Sequence, residues 1–429
     1  MKKTIRTLFV TALGVSSLTS LAACGGVKAA EYVAGNPVKV GLICLHDEKS
    51  TYDANFINAL KEAVKDLGDR VVFEEANLLT GVEENEECYD AAKDLVKKGC
   101  NLIFADSFGH QNQMIKAAKE WKSVQFCHAT GTNAKTAGLD NYHNAFASIY
   151  QGRFMAGYAA GLKLVETKSA ELATGLKVGY VGAFTYAEVM SGYTSWFLGL
   201  RNAVRDYNFD ETKVTMDVTF TGSWYDVTGE GSAADKLIKG GCVLISQHAD
   251  SMGAPSTCEN ASIPNVTYNV ETKDQCPKTY LAYSRINWAP YYKAMVNAMY
   301  EGKAVEGEAQ HNWTGTIGTG SVEYNVNWAN VTSDATKLAE YKAKYEAVEA
   351  QVKAKGAAYV FDCSKFTVKG EHLTSYMADT DGDAEFKPDA EAIAEKDGVK
   401  YFNESALASA PYFNVEIDGI NLKDRNYGD

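Results

Sequence analysis

From Val38 onward the chain alternates between two hydrophobic patterns. Short runs of β-branched and other apolar residues are followed by stretches whose apolar positions recur every three or four residues. Lys39-Val40-Gly41-Leu42-Ile43-Cys44-Leu45 reads as a buried strand, and a helical period then covers about Ala54 to Leu67. Val71 to Glu75, Glu86 to Lys98 and Asn101 to Asp106 repeat the alternation, and Gln111 to Trp121 and Val124 to Ala129 add another helix and strand. Alternation of this kind predicts an α/β protein: a parallel sheet with helices on both faces.

The pattern then restarts. Lys177-Val178-Gly179-Tyr180-Val181-Gly182 echoes Lys39 to Ile43, and Ala203-Val204-Arg205-Asp206 echoes Ala63-Val64-Lys65-Asp66. Val214 to Phe220, Ala233 to Lys239, Cys242 to Gln247, Ser251 to Ala261 and Val266 to Val270 continue it. Two similar parallel-sheet lobes imply a cleft between them, with ligands beyond the carboxyl ends of the strands. The last part differs: a long helix over Ser333 to Lys355, a β-like stretch from Tyr359 to Lys369, and the acidic run Asp379-Thr380-Asp381-Gly382-Asp383. That run lacks the glutamate that completes an EF-hand loop and reads as a solvated turn.

The residues after each strand are the ones that could meet a ligand. Asp47, Ser50, Tyr52 and Asp53 follow the first strand, and Asp106 and Phe108 follow the third. In the second lobe Phe184 and Tyr186, then Trp224, Tyr225 and Asp226, then His248 and Asp250 occupy the equivalent places. Carboxylates beside aromatic faces suit a planar, NH- and OH-rich ligand such as a nucleoside. Each of these Asp residues could equally be a helix cap. There is no Gly-rich phosphate loop, G-x-S-x-G elbow or H-E-x-x-H motif. No His pair has helical metal-ligand spacing, so neither a metal nor a cofactor is expected.

The N-terminus sets the compartment. Lys2, Lys3 and Arg6 precede an apolar core from Leu8 to Leu21, and Leu21-Ala22-Ala23-Cys24 reads as a bacterial lipobox. Two acyl chains on Cys24 would hold the mature chain on the outer face of the cytoplasmic membrane. The net charge of −13 argues against nucleic acid as a partner. Cys44, Cys127 and Cys242 lie in apolar strand-like runs and read as core residues, while Cys258 and Cys276 flank a turn-rich stretch where export permits a disulfide.

Several segments together resemble the basic membrane protein family, the purine-nucleoside-binding lipoproteins of ABC importers. They are Asp47-Glu48-Lys49-Ser50-Thr51-Tyr52-Asp53, Phe104-Ala105-Asp106-Ser107-Phe108-Gly109, Gln151-Gly152-Arg153-Phe154-Met155-Ala156-Gly157, Lys177 to Gly182, Gly222-Ser223-Trp224-Tyr225-Asp226 and Ser284-Arg285-Ile286-Asn287-Trp288. The resemblance covers about Val38 to Gly320 and implies a type I periplasmic-binding-protein fold with two lobes, three crossovers and a clamshell cleft. It implies that Tyr52 stacks on a purine, that Asp106 accepts from the purine edge, that Phe184 or Tyr186 closes over the base, and that Asp226 or Asp250 holds a ribose. The chain departs from the family at Gln247-His248-Ala249-Asp250, where a glycine-rich turn is usual, and at Ser284, where a lysine is usual.

The expected organisation is a signal peptide over 1–23, a tether over 24–37, a first lobe over 38–165 and a second over 175–280. A hinge and return to the first lobe follow over 281–320, then a C-terminal extension over 321–429. The expected function is a monomeric, lipid-anchored binding protein, not an enzyme, that hands a purine nucleoside or related purine to an ABC permease. The alternatives are a ligand sensor for a membrane receptor and a surface nucleoside hydrolase.

Overall fold

The computed structural model describes residues 27–305, 311–380 and 387–424. Cys24 and the lipobox lie outside them, as do Asp381, Gly382 and Asp383 of the acidic run. The strands in chain order are β1 (Val38–Ile43), β2 (Val71–Val72), β3 (Leu78–Leu79), β4 (Leu102–Ala105), β5 (Gln125–Ala129) and β6 (Tyr142–Ala147). There follow β7 (Leu176–Gly182), β8 (Val214–Phe220), β9 (Cys242–His248), β10 (Asn265–Tyr268), β11 (Tyr280–Ile286), β12 (Asn312–Gly315) and β13 (Val322–Val326).

They form two sheets. The first runs β12-β6-β5-β4-β1-β2, with β3 also on β1, and all these strand pairs are parallel. The second runs β13-β11-β10-β9-β7-β8 and ends on a short strand, Ile420–Leu422. Only the β11–β13 pair is antiparallel there. The chain thus passes between lobes after β6, after β11 and after β12. Side chains tie these passages together: Gln151 Oε1 accepts from the Ile317 N–H at 3.0 Å, and Glu323 accepts from Arg285 and from Asn287 Nδ2.

The lobe boundaries differ from the sequence expectation. Helix Tyr150–Thr167, expected in the first lobe, packs along helix Ala187–Asp206 of the second. Strands β11 and β13, placed in the return segment and the extension, both belong to the second sheet. Tyr359 to Lys369 is not a strand; it begins in the short helix Ala357–Val360 and continues through a 3-10 turn. The long helix spans Ala335–Lys355, capped by the Asp334 carboxylate on the Thr336 and Lys337 N–H groups. Tyr341, Tyr345, Val348 and Val352 on this helix join the second lobe's core, so the extension is part of that lobe. Cys258 and Cys276 are buried free thiols, as are Cys44, Cys127 and Cys242. Among the described residues, no helix is long and apolar enough to cross a membrane.

The helix pair 150–167 and 187–206 is nearly all buried, which is why neither shows the one-sided periodicity of a surface helix. Its approach is set by glycine. A Cβ at Gly157 would lie 1.9 Å from the Trp196 carbonyl oxygen, and one at Gly199 would lie 2.0 Å from that of Phe154. Both clashes are with backbone, so rotamer changes cannot relieve them. Gly157→Ala should therefore push the helices apart and destabilise the fold by about 2–3 kcal/mol. Denaturant unfolding reads this directly; a loss below about 0.5 kcal/mol would mean that the crossing is not as tight as described.

Candidate functional site

The first lobe supplies one wall of a cavity at the carboxyl ends of its strands. Helix Thr51–Leu67 begins just beyond β1, with Ser50 as its N-cap and Asp53 in its first turn. Asp53 is buried and receives the His46 N–H at 2.8 Å, the Ser50 hydroxyl at 2.5 Å and the His46 ring at 3.4 Å. Burial opposes ionisation of Asp53, but these bonds outweigh it and hold the carboxyl below its ordinary range. His46 is held above its own, mainly by the same bond. Tyr52 donates to the Asp106 carbonyl at 2.8 Å, which orients its ring along the cavity wall. Phe108 follows β4, and Ser107 beside it donates to Glu84. Thr130 ends β5 with a left-handed φ of 61°.

The second lobe faces this wall with Trp224, Glu188, His248, Asp250 and Tyr268. A hydrogen-bonded series sets several of them. Arg153, fully buried, donates to the Tyr180 hydroxyl and to the Gln247 carbonyl at 2.9 Å. The Tyr180 hydroxyl lies 3.4 Å from His248 Nδ1, and His248 Nε2 lies 3.3 Å from Glu188 Oε1. Burial pushes the His248 pKa down, so the ring is neutral; the network then assigns Nε2–H as donor to Glu188 and Nδ1 as acceptor from Tyr180. Asp250 accepts from Asn269 Nδ2 at 3.0 Å. Burial raises its pKa well above the carboxylate range, and Glu230, Asp53 and Glu188 add to the effect.

The lobes touch across this site. The Thr51 N–H donates to the Asp250 carbonyl at 3.0 Å, and the rings of Phe108 and Tyr186 lie 5.3 Å apart. The cavity itself has about 20 Å³ of free space, room for about one water, so a planar ligand needs either the lobes to part or the adjoining, larger compartment that shares Phe108, Thr130, Glu188 and Trp224. The arrangement is the closed form of a clamshell. Three carboxylates and several aromatic faces line it, with no Lys or Arg among the described lining residues. Such a site can accept hydrogen bonds from N–H and O–H donors and cover a flat ring, and no Lys or Arg among its described lining residues is there to pair with a phosphate.

The sequence-derived residues divide clearly. Tyr52, Asp53, Phe108, Trp224, His248 and Asp250 line the cavity. Tyr186 lines an adjoining compartment, and Ser50 stands behind Asp53 as the helix cap. Asp226 is not in the wall: it caps helix Val227–Lys239, accepting from the Thr228 and Gly229 N–H groups at 3.1 and 2.9 Å. Asp47 is a half-exposed loop residue whose carboxylate accepts from the Lys49 N–H. Phe184 packs edge-on to Trp224 with centroids 5.0 Å apart, backing the wall without facing the cavity.

Asp106 is fully buried beneath the cavity floor and accepts from the Leu45 N–H at 3.1 Å. Burial, then the charge of Asp53, pushes its pKa well above the usual carboxylate range. Donor atoms of Cys44, Asp53 and Asp106 lie within 4.8 Å of one another, the one such group among the described residues that could hold a metal ion. Burial favours the neutral form of Asp106, which leaves less negative charge there to attract an ion. Arg285, next to the expected lysine position, is spent on Glu323.

Thr130, Glu188 and Tyr268 were not singled out in the sequence, and His46 was noted there only for lying near a strand end. Tyr268 and Thr130 stand at the ends of β10 and β5, and the strand-end rule would have found both. Glu188 carries no such signal, since it sits in the first turn of a helix whose period is hidden by burial.

Comparison with known proteins agrees with this architecture. The family model for Bmp, the PnrA-like ABC transporter substrate-binding proteins, matches residues 41–356. A purine-binding protein of Brucella abortus (strain 2308) is 31% identical over 282 residues, covering 66% of this chain and 73% of its own length. A putative ABC transporter glucose-binding protein of Haloferax volcanii is 27% identical over 215 residues, covering 50% of this chain and 49% of its own. A solute-binding protein of an Aeropyrum pernix K1 ABC transporter system has the same fold, with a TM-score of 0.58 at 12% identity over 81% of this chain and 95% of its own. A type I periplasmic-binding-protein fold with its cleft at the strand ends, matched by the family model over most of its length, belongs to the Bmp family of ABC transporter substrate-binding proteins.

Proposed function

We propose that this chain is a lipid-anchored, extracytoplasmic binding protein that captures a purine nucleoside or related purine and presents it to an ABC permease. The observation that carries the ligand class is the make-up of the interlobe cavity: aromatic faces from both lobes and the carboxylates of Asp53, Glu188 and Asp250, without Lys or Arg among the described lining residues. A purine ring lies against Phe108, Trp224 and Tyr52, and its N–H donors meet the carboxylates. The name of the Brucella relative supports the same class, and that relative matches more of this chain at higher identity than the Haloferax protein. The ligand bridges both lobes and stabilises the closed form, which is the form that docks on the permease. Anchoring rests on Leu21-Ala22-Ala23-Cys24.

The deciding experiment is thermal unfolding of a soluble form starting after Cys24, against nucleosides, purine bases, sugars and amino acids. Ligand at 100 times its Kd adds about 2.7 kcal/mol to stability. A shift with purines alone is expected, with the ligand recovered intact; a shift with glucose alone would overturn the purine reading and leave the clamshell. Trp224→Ala should weaken purine binding by about 1 kcal/mol, roughly fivefold, through loss of one aromatic face.

Affinity should also depend on pH through Asp250. In the free protein burial favours its protonated form. A ligand N–H favours the carboxylate, so binding releases a proton and tightens as pH rises through the acid range. Calorimetry between pH 5 and 8 should show this slope, and Asp250→Asn should flatten it. Labelled fatty acid should be incorporated into the wild-type chain and not into Cys24→Ala; equal labelling of both would remove the lipid anchor from Cys24.

A further inference from the structure

The C-terminal extension sends one loop, residues 404–412, across to the first lobe. Both ends of this loop are rooted in the second. Glu404, fully buried, accepts from Ser191 at 2.5 Å, and Tyr412 and Phe413 join the second lobe's core. The Tyr412 N–H donates to the Glu404 carbonyl at 3.1 Å, so the loop closes on itself and its tip projects as a finger. The tip meets the first lobe twice. Leu407 O accepts from Lys135 Nζ at 3.1 Å, and Ser409 Oγ donates to Gly131 O at 3.2 Å.

The second of these contacts is packed. Ser409 is fully buried, and Ala408 and Ala410 on either side of it are buried as well. Its acceptor is fixed in turn: a Cβ at Gly131 would lie 2.0 Å from the Asn144 amide nitrogen and 2.4 Å from His128 Nδ1, so this backbone lies tight against side chains of β5 and β6. Because the loop is anchored at both ends on one lobe, its tip cannot follow the other when the lobes part. Opening the clamshell breaks both bonds and uncovers Ser409. None of residues 404–412 is among the described residues that line the cavity of Tyr52 and Asp250, so these contacts do not depend on a ligand seated there. We infer that this loop is a clasp, which ties the second lobe to the first and keeps the lobes closed without ligand. The clasp rests on the lobe closure in the reading above and not on the chemistry of the ligand. A contact made only in the closed form shifts the open–closed equilibrium toward that form.

The test needs no ligand. Nitroxide labels on Glu62→Cys in helix Thr51–Leu67 and on Ser232→Cys in helix Val227–Lys239 report the lobe separation by pulsed EPR. Both positions are exposed, and the native thiols of the soluble form starting after Cys24 are buried. With the clasp intact, a single short distance should dominate. Ser409→Tyr, too large for its buried place, should raise the fraction at a longer distance about threefold or more. Lys135→Glu combined with Ser409→Ala removes both bonds without adding bulk at the buried position and should do the same; it decides the matter should Ser409→Tyr fail to fold. A long distance dominating with the clasp intact would overturn the inference, as would an unchanged distribution in the folded double variant. These outcomes are independent of purine binding, which the thermal-unfolding panel tests separately.

Discussion

One buried cation organises the second half of the site. Arg153 leaves helix Tyr150–Thr167 with no carboxylate within 4.0 Å among the described residues. Its guanidinium carbon lies 5.3 Å from the Tyr180 ring centroid and 5.0 Å from that of Tyr268, and it donates to the carbonyl at the end of β9. A charge taken from water needs such compensation; one carbonyl, the Tyr180 and Ser246 hydroxyls and two ring faces supply it from Nη2, while Nε and Nη1 have no hydrogen-bond partner among the described residues. The charge thereby fixes the strand end that carries His248 and, through Tyr180, the tautomer that directs His248 toward Glu188. Arg153 sits one turn before Gly157, so the glycine-lined helix crossing sets its position. A crossover helix, a core contact and a cavity carboxylate are therefore one mechanical unit.

The sequence made the scaffold legible because each sheet strand is short, apolar and followed by a polar turn. It failed where burial erased that contrast. Helices 150–167 and 187–206 are apolar on nearly every face, and with them Arg153 and Glu188 went unread. The strand-end rule located Tyr52, Asp53, Trp224, His248 and Asp250 because those positions follow topology. It could not separate ligand contacts from caps, since Asp226 and Asp53 occupy the same kind of helix start. What separates them is which carboxylate faces the opposite lobe, a property of the closed arrangement. Asp106 shows the converse: its chemistry suits a ligand, but its burial turns it toward Cys44 and Asp53.

Much of the loop that presents Asp250 is held by a second buried acid. Glu230 accepts the Ser251 N–H with both carboxylate oxygens and the Asp226 N–H at 3.2 Å. Burial raises its pKa to about 7. The acids around this loop are thus crowded and buried, and each raises the pKa of its neighbours, which limits how many of them carry charge together.

The strand Ile420–Leu422 lies parallel to β8 at the outer edge of the second sheet, with Asn421 bonded to Asp217, 204 positions earlier in the chain. Its backbone covers an edge that would otherwise offer unpaired N–H and C=O groups to another chain. That protection arrives late. During synthesis the second sheet has no finished edge until residue 420 emerges, and the pairing then closes one of the longest loops in the molecule. High sequence separation of this kind slows strand pairing, so this edge is expected to close late. A chain slow to complete this edge stays threadable for longer, an advantage for any protein that must cross a membrane before it folds.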